Sequence, residues 1–558
     1  MQPPEFEHWK LSRLHDHLVQ RWFAIPKLQR NFVWDAKRAA KLLDSMYQGM
    51  PIGSLFLWEM DQRSANLIRH SDADLLPTFS TKHPKIWFVI DGQQRLSVIY
   101  QAFAGDERQN DAGRAIDFGR LCFVVNPDWS KDNVSRIVHR KPLDREFVPI
   151  KDILAADWKK KMPSQSKAFL LKITKCRNAL RNYPVPIVTV KKASLKEIGE
   201  VFVRVNSQGM RITSVDKAIA MMGTVDVRAM AEQIRLKVRE SGFSLTAIDP
   251  ILMGFNLISE KPSIDSPAPK LDAIAQKWSK RLEHDAAELK HFKHQWARYS
   301  KAFLSAVDYL RQRFPIHAAE MLPSINMLST LSVFFHQHAG QPNKFQACEI
   351  RKWFWATGVG KRYSGGGYHK NIVSDSTFFQ SLAEGKRRFF TFKDFVDPVL
   401  ELQGEEYNSG SARTRAFFCL LAAHKPLYLD DGQPIPLDDN IAYIGNRKHR
   451  HHIFPQAQLR PHFHPRFYNS LCNVCFLVSR DNLIVGSKLP RNYLAVYRDE
   501  GHALFNKVMK SHLIPFGEES GVWQNSVKQG FKEFRAQRLA LICKAFEKQA
   551  GIKLFRSS

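Results

Sequence analysis

The stretch KIWFVI at 85–90 is a continuous apolar run, closed at once by DGQQR and then by LSVIYQAF. A short apolar run stopped by Asp-Gly predicts a buried strand, and the apolar spacing after it predicts a helix. Other segments repeat this grammar. AKRAAKLLDSMYQ (36–48) has helical spacing of Ala, Leu and Met, stops at Gly49, Pro51 and Gly53, and is followed by the strand-like SLFLWEM. LCFVV (121–125) and PVPIVTV (184–190) read as further strands, and ASLKEIGEVFVRV and SVDKAIAMM as helices. Residues 1–225 are therefore expected to form a mixed α/β domain. From 226 to 400 the pattern changes to helix, as in WARYSKAFLSAVDYLRQRF and INMLSTLSVFFHQH, with a Pro/Ser-rich break at 259–270 and a glycine-rich loop at 362–370. The last part, 401–558, mixes helices with a short β-rich stretch, RFYNSLCNVCFLVSRDN, and ends in a helix. The expected fold class is multidomain α+β, with no repeats.

Charge narrows the partners. Lys and Arg number 83 against 54 Asp and Glu, a formal net charge of +29. An excess of that size favours a polyanion, most simply nucleic acid. No basic amphipathic helix marks a membrane surface, and no run of eighteen apolar residues marks a span. Seven scattered cysteines argue against a disulfide framework and for a reducing compartment. With acids and no apolar core at the N-terminus, a cytoplasmic location is expected.

Two constellations carry chemistry. At the first, a strand ends in Asp91-Gly92 and opens a helix. The free N–H groups of a first helical turn favour an anion. Gly92 permits close approach, Arg95 can grip a phosphate bidentately, and Gln93 and Gln94 offer neutral donors and acceptors. Asp91 suits a metal, a ribose hydroxyl or an arginine better than a phosphate. The bland alternative is an Asp cap over an exposed polar turn.

IPKLQRNFVWD (25–35), PIGSLFLW (51–58), WFVIDGQQRLSVI (87–99) and FVRVNSQGMRITSVDKAIAM (202–221) occur in that order. Together they resemble the N-terminal domain of the GmrSD-type, modification-dependent restriction endonucleases, related to the ParB/sulfiredoxin nucleotide-binding fold. The resemblance implies nucleotide binding and hydrolysis by Gln29, Arg30, Asp91, Gly92, Gln93, Gln94 and Arg95, with Asn206 and Gly209 in a further motif.

The second constellation is HHIFP at 451–455. Phosphodiester cleavage needs an activated water, charge relief on the phosphate and a stabilised leaving oxygen; an imidazole can supply the first and a divalent metal the others. The histidine pair, Asn473, Asn482 and the closing K-x-P-x-x-Y-L resemble the ββα-metal, or HNH, nuclease motif at the C-terminus of the same proteins. The resemblance implies His452 as general base, Asn473 as the residue that orients its loop, Lys488 as a phosphate neutraliser, and His451 and Asn482 as metal ligands. His451 stands where the family more often has Asp or Glu, which favours Mn over Mg. CNVC (472–475) has no second cysteine pair and is expected to be structural rather than a zinc site.

These readings imply a two-module enzyme: an N-terminal domain (1–225) that binds and hydrolyses an NTP, a helical coupling region (226–400) and an HNH nuclease domain (401–558) that restricts modified phage or foreign DNA. Its cofactors would be a divalent metal, Mg or Mn, and an NTP. Its partners would be modified DNA and no membrane, with a homodimer considered as the assembly. The alternative is a ParB-like, nucleotide-gated DNA-binding switch with an inactive nuclease domain.

Overall fold

The apolar run at 85–90 folds as β4 (Lys85–Asp91) in a five-stranded mixed sheet with β1 (Glu5–Lys10), β2 (Phe23–Ala24), β3 (Leu55–Asp61) and β10 (Pro184–Lys191), in the order β1-β10-β3-β4-β2. These positions come from a computed structural model. It describes residues 2–26, 29, 32–61, 75–80, 82–109, 115–126, 135–143, 146–162, 166–194, 197–198, 201, 225–261, 286–316, 318–393, 395–429, 431–435, 450–476, 485–500 and 502–556, with the backbone alone at 286, 450, 451, 500, 502 and 503.

The central strands β3 and β4 are mostly apolar because both their faces are covered, whereas the edge strand β1 is largely exposed. Leu55, Leu57, Val89, Val185 and Ile187 turn into one core, built against α1 (Leu11–Val19), α2 (Ala36–Tyr47), α3 (Gln93–Ala104) and α4 (Lys167–Arg181). Trp58, Ile86, Phe88, Ile90 and Val190 turn the other way, against Phe79, Ala193 and Ile198. Period-2 alternation thus serves two hydrophobic layers, and the run reads as continuous. Helix α2 starts where Asp35 accepts from the Arg38 N–H at 2.8 Å. Asp44, on its buried face, accepts from the Arg136 and Ile137 N–H groups at 2.7 and 3.0 Å. That carboxylate ties α2 to β8 (Ile137–His139), an edge of the small sheet β8-β7-β9 with β7 (Leu121–Val124) and β9 (Phe147–Pro149). A hairpin of β5 (Glu107–Gln109) and β6 (Ala115–Asp117) completes the described strands of this unit.

The chain divides into two compact units, one holding Met1–Arg228 and the other Ala229–Pro269 and Ala286–Ser558. Residues from both sides of position 400 share the second unit. It is helical, and its helix Asn326–Gln337 is buried at every residue from Met327 to Phe334. A helix buried all round belongs inside a bundle, and this one, with Ser329, Thr330 and Ser332 hydrogen-bonded to backbone carbonyls, packs against Asp249–Ser259, Ala286–Arg313 and Tyr368–Ala383. The glycine-rich loop ends at Gly367, whose φ of +79° caps that last helix. Later in the unit, a two-stranded antiparallel hairpin, β11 (Arg450–His452) with β12 (Val474–Phe476), joins the helices Pro490–Glu500 and Val527–Ala550 around a second core that includes Ile453, Phe454, Cys475, Tyr493, Leu494, Phe531 and Phe534. The architecture is thus a mixed α/β first unit and a mainly helical second one. No helix among the described residues is long and apolar enough to cross a membrane. The helices expected in ASLKEIGEVFVRV and SVDKAIAMM lie mostly outside the described residues.

Candidate functional site

At the end of β4 the pairing with β3 slips. Leu57 faces Val89 but Phe56 faces Asp91, so Ile90 is an extra residue that bulges the strand just before Asp91. Gly92 follows with φ +94° and serves as the cap of α3. A Cβ at Gly92 would collide with the Leu55 side chain, so glycine is required here by both conformation and space.

The motif side chains are then taken up one by one. Arg95 donates from Nη2 to Asp91 at 2.6 Å and from Nη1 to the Ile52 carbonyl at 2.9 Å. Gly53, with φ +77°, leaves the room that this guanidinium fills. Gln94 accepts from the Val33 and Trp34 N–H groups at 2.8 and 3.2 Å. Gln29, buried, donates to the carbonyls of Val89 and Ile90 at 3.1 and 2.5 Å, at the slipped register. Gln93 is buried as well. These groups converge on one strand end and knit three chain segments together there. Asp91 is about one-third exposed, and its second oxygen has no partner among the described residues. Arg30, Asn206 and Gly209 lie outside the described residues.

The second constellation is built on the hairpin. His452 pairs with Val474, and the Ile453 N–H donates to the Asn473 carbonyl at 2.9 Å. Asn473 is fully buried. Its Oδ1 accepts from the Phe454 N–H at 2.9 Å, and its Nδ2 donates to the carbonyls of Phe454 (3.0 Å) and Tyr468 (2.8 Å). Tyr493, on the helix Pro490–Glu500, donates to the Ile453 carbonyl at 2.9 Å. The backbone after His452 is therefore fixed from three directions.

The imidazole meets two amides that the sequence analysis missed. Nε2 lies 3.2 Å from Asn469 Oδ1 and 3.2 Å from Gln456 Nε2, and Gln456 also donates to Asn469 Oδ1 at 2.7 Å. The two contacts need opposite proton states: a protonated Nε2 donates to Asn469, and a bare one accepts from Gln456. Nδ1 has no partner among the described residues. Burial pulls the His452 pKa down to about 4 against the opposing pull of Asn469, so the ring is neutral at pH 7. Gln456 follows His452 by four positions, and that spacing was the available signal; Asn469 depended on the turn after Tyr468.

Lys488 is exposed, and its N–H closes a turn onto Val485 at 3.0 Å. Asn482 lies outside the described residues, and His451 is placed by its backbone alone, opposite Cys475. Among the described residues, no three His, Cys, Asp or Glu gather as a metal site. Cys472 and Cys475 are buried, and burial pushes the Cys472 thiol up to about 11, so this pair behaves as core.

His512 is also fully buried, its Nε2 lying 2.7 Å from the Leu427 carbonyl, and burial lowers its pKa to about 4. Its folded pKa is depressed below the unfolded value of 6.5. The contribution is therefore intact above pH 6.5 and is lost as acid protonates the unfolded chain first, down to pH 4. Each pH unit in that window costs about 1.4 kcal/mol per such histidine. The second unit is expected to lose about 2 kcal/mol through His512 between pH 6.5 and 5, with His452 adding loss of the same sign. Urea titrations at successive pH values check this; a flat midpoint across the window would contradict it.

Residues 11–221 match the family model described as the GmrSD restriction endonuclease, N-terminal domain. The match covers β2, β3, β4 and β10 of the sheet and the Asp91–Arg95 turn, and begins just after β1. The chain also aligns with the Uncharacterized protein MJ0686 of Methanocaldococcus jannaschii, 22% identical over 550 aligned positions, covering 88% of this chain and 89% of the relative. Within the first unit, residues 11–221 are thus similar to the N-terminal domain of the GmrSD restriction endonuclease.

Proposed function

We propose that this chain is a nucleotide-responsive, metal-dependent DNA endonuclease that restricts modified DNA. One observation supports the nuclease half most: a neutral, half-buried imidazole, held through Nε2 and leaving Nδ1 unengaged, on a hairpin whose following loop is pinned by Asn473. With the proton on Nε2 and donated to Asn469, Nδ1 is the base that takes a proton from the attacking water. The low pKa keeps that lone pair available at pH 7, at the cost of base strength. Lys488, exposed on the turn before Pro490–Glu500, neutralises a phosphate oxygen.

The donor set expected for a metal is an imidazole, His451, and a carboxamide, Asn482. Both are neutral, and this fits a divalent ion that takes the rest of its charge balance from DNA phosphates. Such an ion supplies Lewis-acid relief of phosphate charge. The imidazole favours Mn over Mg. In the first unit, the nucleotide phosphates are proposed to lie at the first turn of α3, beside Asp91 and Arg95. Hydrolysis there drives the response to DNA. The excess of positive charge supplies attraction to DNA that weakens steeply with salt.

The neutral donor set also favours a second reading, a nucleotide-gated DNA-binding switch whose nuclease centre is silent. One experiment separates the two. Full-length protein is incubated with modified and unmodified phage DNA, with each NTP, in Mg, Mn or EDTA. The nuclease reading expects nicks or breaks that need metal and are stronger in Mn. Absence of cleavage under every condition, with NTP-dependent DNA binding retained, would establish the switch instead. Asp91→Asn is expected to lower NTP turnover at least tenfold, and unchanged hydrolysis would remove the first site.

A further inference from the structure

The face of the helix Lys344–Val359 that carries Lys344, Cys348, Arg351 and Trp355 recurs at i, i+4, i+7 and i+11, so these side chains share one side. That side forms the wall of a cavity of about 500 Å3 within the second unit. Tyr309, Phe314 and Trp355 make its floor, and all three are almost wholly buried. Arg313, Lys344 and Arg351 stand exposed at its rim. None of the three pairs with a carboxylate among the described residues, and none of the lining residues is Asp or Glu. Three cations gathered without a counter-ion repel one another, and a bound anion relieves that repulsion. Arg351 lies over Gly551, where a Cβ would come within 3.0 Å of the guanidinium. Both Arg313 and Arg351 act electrostatically on the buried Tyr309 hydroxyl, opposing the rise that burial causes, so both charges reach the cavity.

We propose that this cavity binds a single phosphorylated nucleotide unit, with its phosphates at the cationic rim and its ring on the apolar floor. The volume falls in the range of small-molecule sites. Inorganic phosphate would use the rim and leave the floor empty. The unit can come from a free nucleotide or from the end or an extruded residue of a DNA strand, and the two sources share this chemistry.

Cys348 supplies a local reporter. Its Sγ lies 3.7 Å from Arg351 Nη2 in the cavity wall, and it is partly exposed, as is Cys543 outside the cavity; the other five cysteines are buried. Full-length protein is alkylated with iodoacetamide, and modification of each cysteine is followed by peptide mass spectrometry. An NTP or a short single-stranded oligonucleotide is expected to slow alkylation of Cys348 by about fivefold or more, relative to sodium chloride of equal ionic strength, with Cys543 unchanged. Protection by the NTP alone identifies a free nucleotide; protection by the oligonucleotide alone identifies a strand. Protection should survive Asp91→Asn, which disables only the first unit's site, and should disappear in the Lys344→Gln, Arg351→Gln double variant. No protection by either probe overturns the proposal. So do protection by pyrophosphate alone, equal protection by salt, and protection that persists in the double variant.

Discussion

Replacing His452 by Ala is expected to lower DNA cleavage by about 10^2- to 10^4-fold, the usual contribution of a positioned acid or base, while DNA affinity changes little. The two effects separate because they have different physical sources. In the proposed reading, affinity comes from phosphate neutralisation spread over a chain with 83 cationic side chains, whereas cleavage depends on one lone pair. The variant should also fold, since the 2.7 Å bond between Gln456 and Asn469 does not involve the ring and Asn473 still holds Phe454. Asn469→Ala gives the companion test. It removes the acceptor that fixes the Nε2 proton, so the rate should fall less than in His452→Ala, and its pH profile should shift. Single-turnover cleavage with fluorescence anisotropy for binding reads both numbers. Cutting by His452→Ala at the parent rate would sink the assignment of this histidine as the base.

How far the sequence led is clearest at particular residues. KIWFVI announced β4 because a strand covered on both faces must be apolar at nearly every position. The Asp-Gly stop was legible because only glycine fits φ +94° against Leu55. What the motif side chains do there was less legible. Gln29, Gln94 and Arg95 were read as groups facing a ligand, and each holds neighbouring backbone at short range, a role that depends on loops distant in sequence. Asn473 was expected near the backbone after His452, and the hydrogen bonds to Phe454 put it there. Asp44 gave no signal at all. In LLDSMYQ it looks like an ordinary exposed acid, and only the arrival of β8 turns it into an acceptor for two N–H groups. The most misleading residue was Arg538, which counts toward the positive charge like any surface arginine but lies wholly inside.

Arg538→Ala is expected to destabilise the second unit by about 3–5 kcal/mol, the cost typical of breaking a buried charged network. Its guanidinium is fully buried and donates to three carbonyls: Leu513 at 3.1 Å, Cys472 at 2.9 Å and His512 at 3.0 Å. No carboxylate pairs with it among the described residues. Three backbone dipoles stabilise the charge, while burial pulls its pKa down. Alanine leaves three buried acceptors unsatisfied, each costing about 1–3 kcal/mol where no water replaces the donor, and a cavity beside Phe417 and Phe534. Lysine should rescue only part, because one ammonium cannot span carbonyls held apart by a planar fork. Two further effects follow from the same contacts. Arg538 helps to depress the His512 pKa, so its removal should flatten the loss of stability between pH 6.5 and 4. The Cys472 carbonyl adjoins Asn473, so the loop after His452 loses support, and cleavage should fall in Arg538→Lys even where that variant remains folded. Urea unfolding followed by tryptophan fluorescence measures the first effect. A midpoint shift equivalent to less than about 1 kcal/mol would mean that water fills the gap and that the buried guanidinium is dispensable.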